Sequence, residues 1–379
     1  MRPIAILSSL GLATLVASAL ACSGSPGDSG FSGGSSSGGG SGGSNSSGGG
    51  SNSSGGSNSS GSSSGSFGSS SGSGGGGSDA GGDAIVTTKI TVYSHTDDTL
   101  YSVDPMNKTV TMIGVMSGQG TNAITDLAVD ANGDVYVNTE TTLYKAAVPS
   151  APGGVTLTQI AAITGGSGKF YALAFAPAGA LDPNNETLIA GDSSGNLVAI
   201  NTTSGAGTNL GNFGNDASGA CGKSPCTFEL SGDVVFYTDS SNNPTGLATI
   251  RSCPTGSSTG CSADWLAGVN MMALKTAYTS GTPATSLLAG IYGGNGASLG
   301  SGTGFHDVFG LGAWDSTVFG FTRHMTAQSP SLITIDTGTG TGTLMGSPFS
   351  FTNGWSGAGV TTKVTISVPP PPPPPPNNQ

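Results

Sequence analysis

Among residues able to do chemistry, the densest grouping is DANGD, which sets Asp130, Asn132 and Asp134 at alternate positions. Oxygen ligands at that spacing open a calcium loop of the EF-hand kind, whose shell is completed by a bidentate Glu at the twelfth position. Thr141 stands at that offset, and Asn132-Gly133 between two apolar runs is a tight-hairpin signature. GDSSGN, residues 191–196, reads the same way. Both segments are therefore expected to be turns; no cofactor is required, and calcium is the one metal that the spacing leaves open. The three histidines, His95, His306 and His324, fall in no zinc or metalloprotease spacing. No phosphate loop occurs.

The five cysteines divide by position. Cys22 follows Arg2 and the apolar run 4–21, which has the form of an export signal ending in Ala19-Leu20-Ala21. The other four, Cys221, Cys226, Cys253 and Cys261, are an even number in an exported chain and are read as two disulfides. Three pairings are open; Cys221–Cys226 and Cys253–Cys261 are preferred because each closes a short Gly/Ser/Pro loop. A zinc site is the competing reading, although paired C-x₂₋₄-C spacings are missing.

These residues are carried by a chain of very uneven composition. Charged residues make up 8% of it, against about 25% in ordinary soluble domains. Residues 22–84 are nearly all Gly and Ser, too poor in apolar surface to offset the entropy of ordering. As a flexible coil, a segment of about 60 residues spans roughly 40–47 Å. Residues 85–368 carry nine Lys or Arg against eighteen Asp or Glu, a balance that argues against nucleic acid as a partner. Eight prolines, Pro369 to Pro376, open the tail 369–379 and predict a polyproline II rod of roughly 25 Å. A spacer and a ligand for an aromatic groove are the two readings of that rod.

Within 85–368 the apolar residues alternate in short runs separated by turn residues, which predicts strands and an all-β fold. TLYSVDPMNKTVTMIG, Thr99 to Gly114, is one hairpin, turned by Asp104-Pro105. ITDLAVDANGDVYVNTETTLYKAAVP with TLTQIAAIT, and FYALAFAPAGALDPNNETLIAGDSSGNLVAINTTSG with TNLGNFG, give four strands each, offset by about 46 residues. ELSGDVVFYTD, GLATIRS, DWLAGVNMM and SLLAGIYGG make a further copy, and FGLGAWDSTVFGFTR with SLITIDTGTGTGTLMG another. The opening hairpin, with KITVYSHT before it, lacks a first strand, which GWSGAGVTT, Gly354 to Thr362, is expected to supply. The expectation is a β-propeller of five four-stranded blades, closed by pairing N- and C-terminal strands. Splitting off the MMALKTAYT region would make six, and a β-sandwich is the rival fold.

The hairpin TLYSVDPMNKTVTMIG resembles, loosely, the NHL and YVTN propeller repeats. Together with ITDLAVDANGDVYV, AGALDPNNETLIAG, SGDVVFYTD and VFGLGAWDSTVFGFT, it is more similar to uncharacterised surface lipoproteins of myxobacteria and their relatives. The resemblance covers most of 85–368 and implies a propeller and a cell-envelope address, with no activity to carry over. Ala19-Leu20-Ala21-Cys22 likewise resembles a bacterial lipobox, which implies cleavage after residue 21 and lipid on Cys22; ordinary secretion by cleavage at the same triplet is the alternative. Ser23 resembles the signal for outer-membrane retention.

Small residues at Ala172, Gly310 and Gly357 mark the strands nearest an axis, and residues at the entrance of those strands face a central funnel. Asp126, Tyr171, His306, Asp307 and Trp355 are the candidates there, the aromatic rings to stack on a sugar or peptide and the carboxylates to accept hydrogen bonds. The competing reading has the aromatics filling space between blades. The expected function is a membrane-anchored binding or adhesion module for a glycan, peptide or envelope partner. A calcium-dependent lactonase-like hydrolase and a structural subunit of an envelope complex are the alternatives.

Overall fold

The computed structural model describes residues 92–104, 107–166, 168–257, 259–294, 299–323, 330–345, 354–363, 365–366 and 371–372. The export signal, Cys22, the Gly/Ser segment, His324 and all of the tail except Pro371 and Pro372 lie outside them. The described chain is built of antiparallel strands in four-stranded sets. Val92–His95, Thr99–Asp104 and Thr109–Ser117 form the first set, with Gly357–Gly359 added alongside Val92–His95. The second set is Asp126–Val129, Val135–Asn138, Thr142–Ala147 and Val155–Ala162; its outer strand meets the outer strand of the first in a short parallel contact, Met116 to Val155. Phe170–Ala176, Thr187–Asp192, Leu197–Ile200 and Gly207–Gly211 form the third. The fourth contains Cys226–Asp239, Pro244–Pro254, Trp265–Val269 and Leu288–Ile291, and the fifth Val308–Trp314, Thr317–Thr322, Ser331–Ile335 and Gly342–Leu344.

The sets pack face against face. Leu100 and Met116 meet Leu127 and Val137 between the first and second sets. Ala128 and Leu143 meet Phe170 and Leu188 between the second and third. Ile189 and Leu210 meet Phe228 and Ile250 between the third and fourth. Val235 and Leu247 join Leu311 and Phe319, and these in turn join Val92 and Trp355, in one layer spanning the fourth, fifth and first. Neighbours in sequence therefore enter opposite layers: Leu127 and Ala128, or Val234 and Val235, point to different faces because the side-chain period of a strand is two. With both faces covered, a strand such as TLIAGD is buried along its whole length. This radial stacking, one strand of each set innermost, is a β-propeller architecture.

The first strand pairs with the last described strand of full register, Tyr93 with Gly359, Ser94 with Ala358 and His95 with Gly357. Ser94 Oγ donates to Gly357 O at 2.8 Å. The expected hairpin forms as Thr99–Asp104 against Thr109–Ser117, with Asp104 Oδ1 accepting Asn107 N–H at 3.1 Å. The expected disulfides are Cys221–Cys226 and Cys253–Cys261. Loops this short contribute about 2 kcal/mol each in the chain-entropy view, so they fasten local loops while the inter-sheet layers hold the fold.

One element departs from the sequence reading. Strand three of the fourth set ends at Val269, and Met271–Ser280 is a helix where the MMALKTAYT region is expected to be extended. Asn270 caps it by accepting Ala273 N–H, and Gly281 ends it at φ 69°. Leu274 and Ala277, one turn apart, bury the inward face against the third and fourth sets. Ten residues, with apolar pairs confined to Met271, Ala273, Leu274, Ala277 and Tyr278, give too short a periodicity to outweigh the strands around them.

Candidate functional site

Five strands, one from each set, line a common axial cavity through Ala128, Leu173, Val234, Leu311 and Ala358, among others; its volume is about 10 Å³. That is the space of roughly one water. The cavity between these five strands is therefore too small for anything larger than a water.

At the entrance end the aligned positions of the five strands are Gly357, Asp126, Ala172, Asp233 and Gly310. Two carboxyls thus share one layer with three residues that give them room. A Cβ on Gly357 would collide with Asp126 Oδ1 and lie 2.6 Å from His95 Nε2. Asp126 is fully buried; its Oδ1 accepts Leu127 N–H at 2.8 Å and its Oδ2 accepts Leu173 N–H, in the third set, at 2.6 Å. Asp233 repeats the arrangement two sets on, accepting Val234 N–H at 2.6 Å and Leu311 N–H, in the fifth set, at 2.7 Å. Each carboxyl fastens its strand to the next. The two carboxyls lie close enough for each to influence the other's ionisation, and both are driven towards the protonated form. Burial, and for Asp126 the adjoining Asp233 charge, hold both well above the ordinary carboxylate range. Asp264, likewise buried, accepts Val308 N–H at 2.8 Å, and burial raises it to about 6.

Around this layer lies a mouth of paired charges. Arg323 Nη2 is 3.4 Å from Asp97 Oδ1, which also accepts Ser356 Oγ–H at 3.0 Å. The Arg323 guanidinium lies 5.9 Å from the Phe309 ring centre. Arg251 Nη1 faces Asp307 Oδ1 at 3.8 Å, and Glu229 is the cross-strand partner of Arg251. On the adjoining arc Glu140 Oε1 receives Tyr171 O–H at 3.1 Å and faces Lys169 Nζ at the same distance. Burial raises Asp307, and the Arg251, His306 and Arg323 charges oppose the shift. Arg251 Nε and Asp307 Oδ2 are buried and make no hydrogen bond among the described residues.

The five sequence candidates fall into three environments. Tyr171, His306 and Asp307 belong to the mouth; Tyr171 is half-buried, His306 exposed, and Asp307 adopts φ 53°. Asp126 lies beneath it, with both oxygens committed to backbone N–H groups. Trp355 is covered completely: its ring stands edge-on to Tyr101 and Phe321, with centres 5.3 and 5.5 Å away. It packs the first set against the fifth and offers no face for stacking at the mouth. Asp233, Arg251, Arg323 and Asp97 are additions that tertiary structure supplies. Asp233 was within reach of sequence, since SGDVVFY aligns with TDLAVD; the arginines lie in or directly after repeat strands, Arg251 within Pro244–Pro254 and Arg323 after Thr317–Thr322, at positions where the copies do not share a charged residue. Asp130 Oδ1 accepts Asn132 and Asp134 N–H at 2.8 and 2.9 Å, and Asp192 does the same for Ser194 and Asn196. Both segments are turns held by their first side chain. Among the described residues one group, Glu229, Cys253 and Cys261, has metal-ligand spacing, and its sulfurs are joined to each other.

The buried carboxyls give stability an unusual pH dependence. Each binds its proton more tightly in the folded chain, so its contribution is full below about pH 4, the unfolded value, and is lost as pH rises through the folded one. For Asp264 that loss falls between about 4 and 6. Burial gives Asp126 and Asp233 losses of the same sign. His95 works oppositely: burial lowers it to about 4, so its contribution is lost as pH falls from about 6.5. Three buried carboxyls outweigh one imidazole, and the melting temperature is expected to be higher at pH 5.5 than at pH 8. Thermal melts across that range check this; a melting temperature that climbs steadily towards pH 8 would rule out carboxyls that are held protonated by burial.

No protein-family model matches the chain, and neither does any curated protein sequence. Solved structures similar to it include a Bacteroides caccae protein of unknown function, with 9% identity over 72% of this chain and 98% of the other and a TM-score of 0.36. The Dos1 propeller is similar at 10% identity, over 71% of this chain and 56% of the other, with a TM-score of 0.31. BamB from Moraxella catarrhalis is similar at 11% identity, over 66% and 70%, with a TM-score of 0.27.

Proposed function

We propose that this chain is an exported cell-envelope lipoprotein whose propeller binds a polar ligand, a glycan or an extended peptide, at the mouth of its axis. In this reading the propeller has five blades, one for each set of strands, and the ring is latched by Gly357–Gly359 against Val92–His95. The apolar layer shared by the fourth, fifth and first sets supports that closure. Lipid on Cys22 fixes one end, and the Gly/Ser segment carries the propeller clear of the outer membrane.

One observation carries the binding reading. The Arg251–Asp307 pair presents a donor, Arg251 Nε, and an acceptor, Asp307 Oδ2, with no partner in the described chain, above an axial cavity too small for anything larger than a water. Buried polar groups are costly when unmatched, and a ligand carrying both a hydroxyl or amide donor and an acceptor matches both. The test is titration of the purified chain against panels of glycans and peptides. Arg251→Gln and Asp307→Asn are expected to weaken binding at least tenfold, about 1.4 kcal/mol, with the melting temperature little changed. Binding unaffected by either substitution would refute the mouth as the site. Substrate turnover abolished by chelator would point to the hydrolase, and Cys22→Ser leaving the chain membrane-bound would refute the lipid anchor.

A further inference from the structure

The C-terminal prolines meet the propeller at a place prepared for them. Gly268 and Gly290 are register partners on the two outer strands of the fourth set, Trp265–Val269 and Leu288–Ile291. A Cβ on Gly268 would collide with the Pro371 ring, and one on Gly290 would collide with the Pro372 carbonyl and lie 3.3 Å from Pro371 Cβ. Pro371 and Pro372 are half-buried. Neither glycine has the positive φ that would call for glycine on conformational grounds, and glycine weakens a strand interior. What the position needs is the missing side chain. Proline suits such a notch: it presents a rigid apolar ring, and its backbone is already extended, so little conformational freedom is lost on docking. The chain arrives there along the same set, since Thr365–Ile366 runs parallel to Thr238–Asp239.

We propose that the Gly268–Gly290 notch is a binding site for a proline of an extended chain, and that this chain's own Pro371–Pro372 occupies it. The tail then acts as a strap that fastens the C-terminus to the fourth set, beyond the strand that pairs with Val92–His95. This inference is independent of the ligand at the mouth.

The test compares the full chain with one ending at Val368, each with and without Gly268→Ala or Gly290→Ala. In the full chain either substitution is expected to lower the melting temperature by a few degrees, as truncation does. In the truncated chain the same substitutions are expected to be neutral or to raise it, because alanine is tolerated better than glycine in a strand once the notch is empty. A synthetic peptide of residues 365–379 should bind the truncated chain, read by fluorescence anisotropy, and should fail to bind its Gly268→Ala form. If the truncated chain does not fold, Pro371→Gly in the full chain replaces it, and Gly268→Ala should then cost less than it does beside Pro371. Equal effects of the glycine substitutions in both backgrounds would overturn the proposal. So would a full-length dimer that dissociates on truncation, which would assign the notch to the tail of a second copy.

Discussion

Asp126→Ala is expected to destabilise the protein by about 2–6 kcal/mol, the cost of leaving two buried N–H groups without an acceptor at about 1–3 kcal/mol each. Two losses coincide. Leu127 and Leu173 N–H groups are left buried without an acceptor, and the second and third sets lose their fastening at the axis. Asp126→Asn should recover only part of the loss, since its single Oδ1 can accept one of the Leu127 and Leu173 N–H groups while the amide N–H₂ meets the other, donor against donor. Asp233→Ala should resemble Asp126→Ala, because its bonds to Val234 and Leu311 repeat the pattern. The double variant should fall well short of the sum, as expected for residues in one network. Denaturant titrations of the four chains decide this. Additive losses, or a loss below about 1 kcal/mol for Asp126→Ala, within the range of an ordinary single hydrogen bond, would show that the carboxyls do not act as a pair.

Gly357→Val is expected to produce the second-largest effect, about 3 kcal/mol, at the upper end for overpacking. The new side chain has no room: its first carbon already meets Asp126 Oδ1 and His95 Nε2, and the nearest backbone, Asp126 Cα, is 2.9 Å away. Backbone cannot give way as the end of a flexible side chain can, so the strand Gly357–Gly359 must retreat from His95. Release of that strand has its own readout. Lys363 is the last basic residue of the chain, so trypsin cleavage after it, followed by mass spectrometry, reports the latch opening independently of global stability. Gly154→Ala is the control, because a Cβ there meets nothing within 4 Å; it should change stability by less than about 0.5 kcal/mol. Cleavage at Lys363 no faster in Gly357→Val than in the control would mean that this strand is not what holds the C-terminus.

Both predictions concern the same layer of five aligned residues, and its logic is steric before it is electrostatic. Strands that converge on an axis leave space for few side chains, and here two carboxyls take it, with Gly310, Gly357 and Ala172 giving way. A Cβ on Gly310 would sit 2.8 Å from Ala358 Cβ. The oxygens of both carboxyls accept backbone N–H groups. In the proposed reading a ligand would meet the arginines and acids one level out, at the entrance.

The division between what the sequence by itself determined and what only the tertiary structure decided follows the range of the forces involved. Period-two apolar runs, Asn-Gly turns and a repeat of about 46 residues are local signals, and they placed the strands, the turns at Asp130 and Asp192, and the candidate partnership of the first and last strands. Short spacing likewise favoured the disulfide pairs, because loop closure depends on separation along the chain. The helix Met271–Ser280 was beyond such signals, because its stability comes from burying Leu274 and Ala277 against sheets that sequence order does not reveal as its neighbours. The same holds for Trp355. Its side chain is equally suited to stacking on a ligand and to filling a core, and only the positions of Tyr101 and Phe321, both more than thirty residues away, decide that it packs. The pairing of Asp126 and Asp233 is tertiary in the strictest sense: two carboxyls 107 residues apart come to favour their protonated forms only because folding removes the water that would otherwise solvate their charges.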